Sequence, residues 1–431
     1  MRDCYLKLLL VVAFFANGIA FGGPTSSGAY AKRAGVVSRL TPERFRCILV
    51  GDSQTTEPSA ERIRTQIHRW DAPIVGELVC VGSTATGFVV NNSNAGISNL
   101  SYSGVFMNEG WPDGGPNDFL APFAASWACG GDIVAPGFRV GRYRLRFGSG
   151  NTGAPWNEPW GINNLLVARI AVRTSPMCID AVETRAERGG VTSGSARSVH
   201  KLSKQWGVQV IEQVIPVDFN PMGDDVGIGL YFPNGSVEQN GQVLQVLGVV
   251  IERVDSSGNP IDGTFVGYQG RGGWNIDDHL NKISIASRAA LIEMVHPDYL
   301  MIMLGHNIEP GGAGALSGSM SQLLTEWESA FQMIGRRRPV VLYVVPWAIS
   351  SKSATAYLLE LESVMGGMAA SNRRDIVINY LERFKYFRPD VYDPSRYQLD
   401  GAGVHPGDIP TAVNLSEDLY QMLFFPNRLQ K

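Results

Sequence analysis

The chain has 431 residues, of which 44% are hydrophobic and 18% are charged, and its formal net charge is −3. This length exceeds one average domain and the composition is that of an ordinary globular protein, so we expect two domains and a large apolar core. The net charge is small and no block of basic residues occurs, which argues against a nucleic-acid-binding protein. Glycine is abundant, at 49 residues, and this indicates many turns and much β structure.

The N-terminal residues 1–22 have the pattern of a secretory signal peptide. Arg2 and Lys7 flank the start of an apolar run over Leu8–Phe21, which is too short for a comfortable membrane span. Gly18-Ile19-Ala20 supplies a small-residue cleavage site. We therefore expect a secreted or periplasmic protein with no stable membrane insertion after signal removal, and an uncleaved N-terminal anchor is the alternative.

Residues 44–82 begin an α/β pattern of strand, helix and strand, over Cys47–Val50, Pro58–Trp70 and Ile74–Val81. The first strand stops at Gly51-Asp52-Ser53. Because ligands bind at the carboxyl ends of strands in open α/β sheets, Ser53 is a candidate nucleophile. An ordinary strand-to-helix turn with a capping hydroxyl is the alternative, so the interpretation depends on partner residues elsewhere.

The sequence changes character over residues 83–264, where helical periodicity almost disappears. Strand-like runs alternate with turns rich in Gly, Asn and Pro, and they cover Tyr143–Phe147, Leu165–Arg173, Gly207–Val217, Val226–Phe232 and Val243–Arg253. Their spacing predicts an inserted all-β domain, either a sandwich or a jelly roll.

The cysteines divide into two pairs once Cys4 of the signal segment is set aside. Cys47 and Cys80 lie in apolar strand-like runs, so we expect buried free thiols. Cys129 and Cys178 fall in the inserted segment, where they could form a disulfide if the protein is exported, although the sequence does not decide their pairing.

The α/β pattern returns between residues 265 and 425. The predicted elements are a helix over Asp277–Val295, a strand over Tyr299–Leu304, a helix over Leu316–Ile334, a strand over Val340–Val345, a helix over Thr355–Met368, a strand over Asp375–Leu381 and a helix over Ala412–Leu423. Alternating strands and helices predict a mainly parallel sheet with helices on both faces. The fold class is therefore α/β, with a domain formed by residues 44–82 and 265–425 and interrupted by residues 83–264.

Three further motifs lie near the ends of predicted strands. Gly270-Arg271-Gly272-Gly273 precedes a helix, where a glycine leaves its N–H accessible to an anion. Gly305-His306-Asn307 follows an apolar run, and the asparagine amide can donate into a cleft. Asp400 and His405 precede the last helix. Each motif alone is equally compatible with an ordinary turn or helix cap.

Together with Gly51-Asp52-Ser53, these motifs resemble the sequence blocks of the SGNH (GDSL-type) hydrolase superfamily, whose fold is a flavodoxin-like three-layer αβα domain. The resemblance implies that Ser53 is the nucleophile, that His405 is the general base and that Asp400 orients the imidazole. It also implies an oxyanion hole made of the Ser53 and Gly273 N–H groups and the Asn307 side-chain amide. We expect no metal and no cofactor, because the sequence holds no His/Cys cluster with ligand spacing.

Two positions depart from the pattern of that superfamily. Ile308 follows Asn307, where the family usually has Asp. Four residues separate the acid from the histidine of the last block, where the family has two. Asp393 or Asp390 is therefore an alternative to Asp400 as the triad acid.

Two other histidines flank the motifs in sequence. His279 falls within a predicted helix, and we expect it on the helix surface. His306 precedes Asn307, and we expect either a structural residue or a wall of the pocket.

The inserted segment separates Ser53 from Gly273, and we expect it to leave and re-enter the α/β domain beside the site. Five of the nine tryptophans lie in it, where they either stack on sugar rings or belong to its core. This layout resembles that of some exported SGNH esterases that act on acetylated cell-wall glycans.

The sequence thus predicts an exported serine esterase that removes acyl groups, above all O-acetyl groups, from a carbohydrate or another small ester through an acyl-enzyme. The alternatives are an O-acetyltransferase with the same site residues, a lipase or thioesterase, and a glycan-binding protein that has lost catalysis. The sequence carries no indication of the oligomeric state.

Overall fold

A computed structural model describes residues 40–41, 44–56, 74–79, 88–90, 125–129, 141–146, 165–176, 178–188, 191–216, 225–231, 242–270, 273–307, 312–347, 352–383, 398–401 and 404–425. The predicted signal peptide over residues 1–22, the predicted helix Pro58–Trp70 and Cys80 lie outside these residues.

The described residues form strands in two sheets and helices that are concentrated after residue 275. The strands are β1 (Arg44–Gly51), β2 (Ile74–Val79), β3 (Phe88–Val90), β4 (Ala125–Cys129), β5 (Gly141–Arg146), β6 (Leu165–Thr174), β7 (Ala181–Arg188), β8 (Val191–Lys201), β9 (Gly207–Ile215), β10 (Asp225–Tyr231), β11 (Gln242–Val254), β12 (Gly263–Gly270), β13 (Tyr299–Met303), β14 (Val340–Val345) and β15 (Ile376–Asn379). The helices are α1 (Ser53–Thr56), α2 (Ile276–Lys282), α3 (Ile285–Val295), α4 (Leu316–Met333), α5 (Lys352–Ser371), α6 (Tyr380–Arg383) and α7 (Ile409–Phe424).

Two predicted elements differ from the observed ones. The single helix predicted over Asp277–Val295 is two helices, because the Ser284 side chain accepts a hydrogen bond from the Ser287 N–H and so caps the start of α3. The strand predicted over Asp375–Leu381 is shorter, and its last residues belong to α6.

The parallel sheet predicted for the α/β domain is confirmed. Strands β12, β1, β13, β14 and β15 are neighbours in that order, and every pairing among them is parallel. Numbered by their own appearance along the chain, these five strands have the order 2-1-3-4-5, which is the flavodoxin-like order. In this topology a ligand site is expected at the carboxyl ends of the strands, next to β1.

Helices cover both faces of β1. Phe45 packs edge-on against Phe424 of α7, with ring centroids 5.4 Å apart. The next residue, Arg46, donates to the carbonyl oxygen of Val295 at the end of α3, over 2.6 Å. Since successive side chains of a strand point to opposite faces, α7 and α3 lie on opposite sides of the sheet.

The strands of residues 83–264 divide between two sheets, so the insertion as a separate β-sandwich is not confirmed. Strands β11, β6 and β9 continue the parallel sheet through an antiparallel pairing of β11 with β2, and the combined sheet has ten strands. The second sheet has five antiparallel strands in the order β3-β5-β10-β7-β8. It meets the first sheet where the Thr184 hydroxyl contacts the Gln213 side chain of β9, over 2.6 Å.

The inserted segment re-enters the parallel sheet far from Ser53, so the expectation that both junctions lie beside the site was wrong. Gly263, the first residue of β12, pairs with Arg44, whereas Gly270 pairs with Gly51. A strand rises about 3.3 Å per residue, so the re-entry point lies roughly 23 Å from the edge that carries the site.

A buried ion network joins the two halves of the ten-stranded sheet. Glu252 of β11 is fully buried, and its carboxylate is bonded by Arg46 of β1 and Arg169 of β6. Arg169 also pairs with Glu212 of β9 over 2.8 Å and donates to the carbonyl oxygen of Met294 over 3.1 Å. The two guanidinium groups therefore contact the last carbonyls of α3, where positive charge is favourable.

Cys47 and Cys178 are buried thiols. Cys47 is free and buried, as predicted, and burial raises the pKa of its thiol far above the ordinary range. Cys178 is also a thiol, so the disulfide considered between Cys129 and Cys178 is not formed. Burial raises the pKa of Cys178 to about 11, which keeps this thiol protonated and unreactive at neutral pH.

We predict that Glu252→Gln lowers the free energy of unfolding by about 3–5 kcal/mol, because the change leaves buried arginine charge without its counter-ion. Urea unfolding followed by tryptophan fluorescence measures this. Asp262→Asn is the matched control, because Asp262 pairs with Arg44 where both side chains are mostly exposed. We expect no measurable change there. Equal losses in the two variants would contradict the importance of the buried network.

Candidate active site

A tight turn at the end of β1 places Ser53 at the carboxyl edge of the sheet. A side chain at Gly51 would put its Cβ 1.8 Å from the Thr55 hydroxyl, so only glycine fits there. That hydroxyl donates to the Asp52 carbonyl oxygen over 3.1 Å, and the Asp52 carboxylate accepts from the Gln54 N–H over 3.0 Å. These bonds hold Ser53 at the first position of α1, with 8% of its surface exposed.

Ser53, His405 and Asp400 form a continuous hydrogen-bonded chain. The Ser53 Oγ lies 2.8 Å from the His405 Nε2, and the His405 Nδ1 lies 2.8 Å from the Asp400 Oδ2. A neutral imidazole satisfies both contacts when its proton is on Nδ1, which donates to the carboxylate and leaves Nε2 to accept from the serine. An imidazole and a carboxylate thus lie in line with a hydroxyl.

The spacing between Asp400 and His405 is accommodated by a closed turn. The Asp400 N–H donates to the His405 carbonyl oxygen over 2.8 Å, and Leu399 pairs with Pro406 in an antiparallel bridge. The Asp400 Oδ1 accepts from the backbone N–H groups of Val404 and His405, over 3.0 and 3.3 Å. The alternatives Asp390 and Asp393 lie outside the described residues, and Asp400 is the acid that contacts His405.

The same contacts stabilise the ionised form of Asp400. Partial burial alone raises the pKa of this carboxyl group. The N–H of Val404, together with the ring and N–H of His405, lowers the pKa below the ordinary value of an aspartate on balance. At neutral pH, Asp400 is therefore an acceptor that can hold the histidine in one tautomer.

The three residues predicted to form the oxyanion hole follow strands that end at the same edge of the sheet. Gly51 pairs with both Gly270 and Met303, so β1, β12 and β13 end in one row. Gly273 follows β12 and Asn307 follows β13. The loops that carry these two residues, and the turn that carries Ser53, therefore leave the sheet side by side.

The conformation of the two loops suits hydrogen-bond donation. Gly273 has a φ of +83°, which only glycine adopts readily, and it is exposed. The Asn307 Nδ2 donates to the Trp274 carbonyl oxygen over 2.9 Å, which ties one loop to the other. An amide nitrogen has two N–H groups, so this bond leaves a second one for a ligand.

His279 is buried, and its predicted position on the helix surface was wrong. Its Nε2 lies 3.0 Å from the Gly51 carbonyl oxygen, to which it donates, and its ring packs edge-on against Trp274. Burial lowers the pKa of His279 to about 3, so the imidazole is neutral at pH 7. The missed signal was its i, i+3 spacing from Ile276, the other buried residue of α2.

His306 is a buried structural residue beside the site. Its Nε2 lies 3.2 Å from the Trp347 carbonyl oxygen, and its Nδ1 lies 3.8 Å from the Asp52 carboxylate. Burial lowers the pKa of His306 to about 4. The His306 and His279 imidazoles are therefore both neutral at pH 7.

Sequence reasoning missed two residues that contact the histidine loop. Gln54 Nε2 and Trp347 Nε1 both donate to the Val404 carbonyl oxygen, each over 3.1 Å. The only available signal was position, because Gln54 follows Ser53 directly and Trp347 lies two residues beyond β14, at the same edge of the sheet.

The described residues contain neither a metal-binding cluster nor a membrane-spanning helix. Within the residues that the structure describes, no group of three or more His, Cys, Asp or Glu side chains is arranged to hold a metal ion. In the same part of the chain, no helix combines the length and the apolar character needed to cross a bilayer.

Comparison with known proteins reveals similarity in structure only. No protein-family model matches the chain, and no curated protein sequence does either. Among solved structures, the chain is similar to a peptidoglycan O-acetylesterase, at 14% identity and a TM-score of 0.53, with 92% of this chain and 96% of the other covered.

Two family two carbohydrate esterases also match. That from Cellvibrio japonicus has 7% identity and a TM-score of 0.27, over 83% of this chain and 99% of the other. That from Clostridium thermocellum has 9% identity and a TM-score of 0.29, over 71% and 99%. The chain thus shares its fold with the peptidoglycan O-acetylesterase.

We predict that His279→Gln makes the stability of the protein less sensitive to acid. Since burial lowers the pKa of His279 from 6.5 to about 3, the unfolded chain binds a proton below pH 6.5 that the folded chain does not. The free energy of unfolding therefore falls as the pH drops, by at most about 1.4 kcal/mol per pH unit from this residue. Glutamine can still donate to the Gly51 carbonyl oxygen but does not titrate.

Urea unfolding of both proteins between about pH 4 and pH 7 measures this difference. The decline should be shallower in the variant, and His306 contributes equally to both curves. Parallel curves would contradict the buried neutral histidine.

Proposed function

We propose that the protein is a serine esterase that removes acyl groups, in particular O-acetyl groups, from a carbohydrate. The observation that carries the proposal is the chain of contacts from the Ser53 Oγ through the His405 ring to the Asp400 carboxylate. A serine hydroxyl becomes a useful nucleophile only when a positioned base can take its proton, and the contact of Ser53 with His405 supports that role for the imidazole.

The proposed reaction has two half-reactions. The Ser53 Oγ attacks the ester carbonyl carbon while its proton passes to the His405 Nε2. The tetrahedral intermediate collapses, the same nitrogen returns the proton to the departing sugar oxygen, and the acyl group remains on Ser53. Water then repeats the sequence, which releases the acid and restores the hydroxyl. Asp400 holds the imidazole in its tautomer and stabilises the imidazolium.

The oxyanion of each intermediate would accept from three donors. These are the backbone N–H groups of Ser53 and Gly273 and the second N–H of the Asn307 amide. Support comes from the common row in which β1, β12 and β13 end and from the bond of Asn307 to the Trp274 carbonyl oxygen. Donors fixed before the reaction need no reorganisation as the negative charge develops.

The carbohydrate part of the proposal rests on the similarity of fold. The similar fold belongs to an enzyme described as a peptidoglycan O-acetylesterase, and the family two carbohydrate esterases are matched as well. We include export by the N-terminal signal and sugar binding by the inserted segment, where Trp206 is 46% exposed. A planar ring of this size suits stacking on a pyranose face.

We predict that Ser53→Ala lowers kcat for a chromogenic acetate ester by about 10⁴-fold or more, because the acyl-enzyme cannot form. Ser321→Ala is the matched control, since this exposed hydroxyl donates to the Ser317 carbonyl oxygen within its own helix. It should be indistinguishable from the wild type. Equal rates in wild type and Ser53→Ala would refute the nucleophile assignment.

The same assay separates the alternative functions. Intact mass spectrometry of the wild type, sampled during turnover, should show an added acetyl group. The Ser53→Ala variant should not carry this group. Adding a sugar acceptor distinguishes hydrolysis, which yields acetate, from transfer, which yields an acetylated sugar. Polysaccharide binding without turnover of any ester would instead favour a glycan-binding protein.

We predict that Asn307→Ala lowers kcat by about 10²–10³-fold with little change in KM, because the amide would act on the transition state. Asn379→Ala is the control, since this amide at the end of β15 donates to Glu362 instead. A rise in KM at constant kcat would show that Asn307 binds substrate and is not an oxyanion donor.

A further inference from the structure

We propose that Trp347 and Gln54 are positioning residues that hold His405 in line with Ser53 through the Val404 carbonyl group. Both side chains are fully buried, and both donate to this one oxygen over 3.1 Å. Val404 precedes His405 directly, so a bond to its carbonyl fixes the backbone from which the imidazole projects. The inference rests on the proposed function, because it assigns roles for the same reaction.

The Val404 peptide groups are restrained from two sides. The Val404 N–H donates to the Asp400 carboxylate over 3.0 Å, on the acid side of the turn. The carbonyl oxygen receives the Gln54 amide and the Trp347 indole from the side of the sheet. The loop is thereby held against the sheet as well as closed on itself, which a contact with Asp400 alone would not achieve.

Gln54 adds a second link between the turn that carries Ser53 and the loop that carries His405. Ser53 bonds His405, and the next residue bonds the residue before His405. The Gln54 N–H is itself fixed by the Asp52 carboxylate. Two adjacent links between the same two segments restrict rotation as well as distance, and nucleophilic attack is sensitive to both.

Trp347 connects the histidine loop to the loop that carries Asn307. Its carbonyl oxygen accepts from the His306 Nε2, while its indole nitrogen donates to the Val404 carbonyl oxygen. Its ring packs edge-on against Tyr380, whose centroid is 5.7 Å away. Trp347 therefore contacts both loops, the proposed oxyanion loop through its backbone carbonyl group and the general-base loop through its indole, so the relative position of the two loops depends on this residue.

Because Gln54 and Trp347 donate to the same oxygen, either residue can still hold the loop when the other is replaced. Trp347→Phe or Gln54→Leu leaves the Val404 carbonyl with one donor, so kcat should fall by about three- to tenfold with KM unchanged. In the double variant, the carbonyl loses both donors and the loop is released. We expect a loss larger than the product of the single losses, since the two residues share one partner.

Trp327→Phe is the matched control for the loss of a buried indole. Trp327 is fully buried in α4, and its indole nitrogen has no hydrogen-bond partner among the described residues. The free energy of unfolding of Trp327→Phe should fall by about as much as that of Trp347→Phe, while its kcat stays unchanged. If Trp347→Phe behaves like this control, or if the double variant shows only the product of the single effects, the positioning role is wrong.

Labelling of Ser53 by a fluorophosphonate probe provides a readout that needs no ester substrate. In this reaction, the Ser53 Oγ bonds phosphorus, fluoride departs and the proton passes to His405, so the rate reports how well the base is held. The rate should fall in the same order as kcat. A wild type that is labelled but hydrolyses no acetate ester would refute the proposed function while the labelling rates still test the positioning role. A wild type that is not labelled would overturn both.

Discussion

The Glu252 carboxylate, which lies out of reach of solvent, is bonded by Arg46 on one side and Arg169 on the other. The first arginine belongs to the parallel strands and the second to the antiparallel extension, so the alignment of the ten-stranded sheet depends on one buried charge. A slip of one residue in any of these strands would turn its charged side chain to the opposite face and leave the others unpaired. Because β1 ends in the turn that presents Ser53, the position of that hydroxyl depends on the same network.

The candidate site depends on a second constraint, which is the common end of three parallel strands. The turn after β1, the loop after β12 and the loop after β13 leave the sheet from one row, and each contributes a polar group. His405 arrives from a separate turn before α7, and it is the only one of these groups that no strand of that row carries. The hydrogen bonds of Gln54 and Trp347 to the Val404 carbonyl oxygen hold this turn against the sheet instead.

Residues that follow a strand directly could be predicted from the sequence, because an apolar run that stops at a glycine is a local signal. Ser53 and Asn307 were placed after strand ends in this way, and both lie there. Asp400 was one of three alternatives, since its contact with His405 depends on a turn closed by backbone bonds that spacing alone does not reveal. The surroundings of His279 come from Gly51 and Trp274, so no pattern within its own helix shows its neutral state. The path of the inserted segment was missed for a similar reason. Strand-like runs that alternate with turns predict strands, but they do not reveal that β11 pairs with β2.

The distance along the chain between β1 and its partners has a consequence during synthesis. Arg44 bonds Asp262, which lies beside the first residue of β12 and 218 positions further along the chain. A ribosome adds roughly 5–20 residues per second, so about 10–45 s pass between the appearance of β1 and that of its neighbour on one side. Its neighbour on the other side, β13, is made later still. Throughout that interval an apolar segment with two unpaired edges is present in the nascent chain, which is the situation in which strands pair wrongly or aggregate. Of the strands that the structure describes, β1 is thus the first to be made and among the last to be paired.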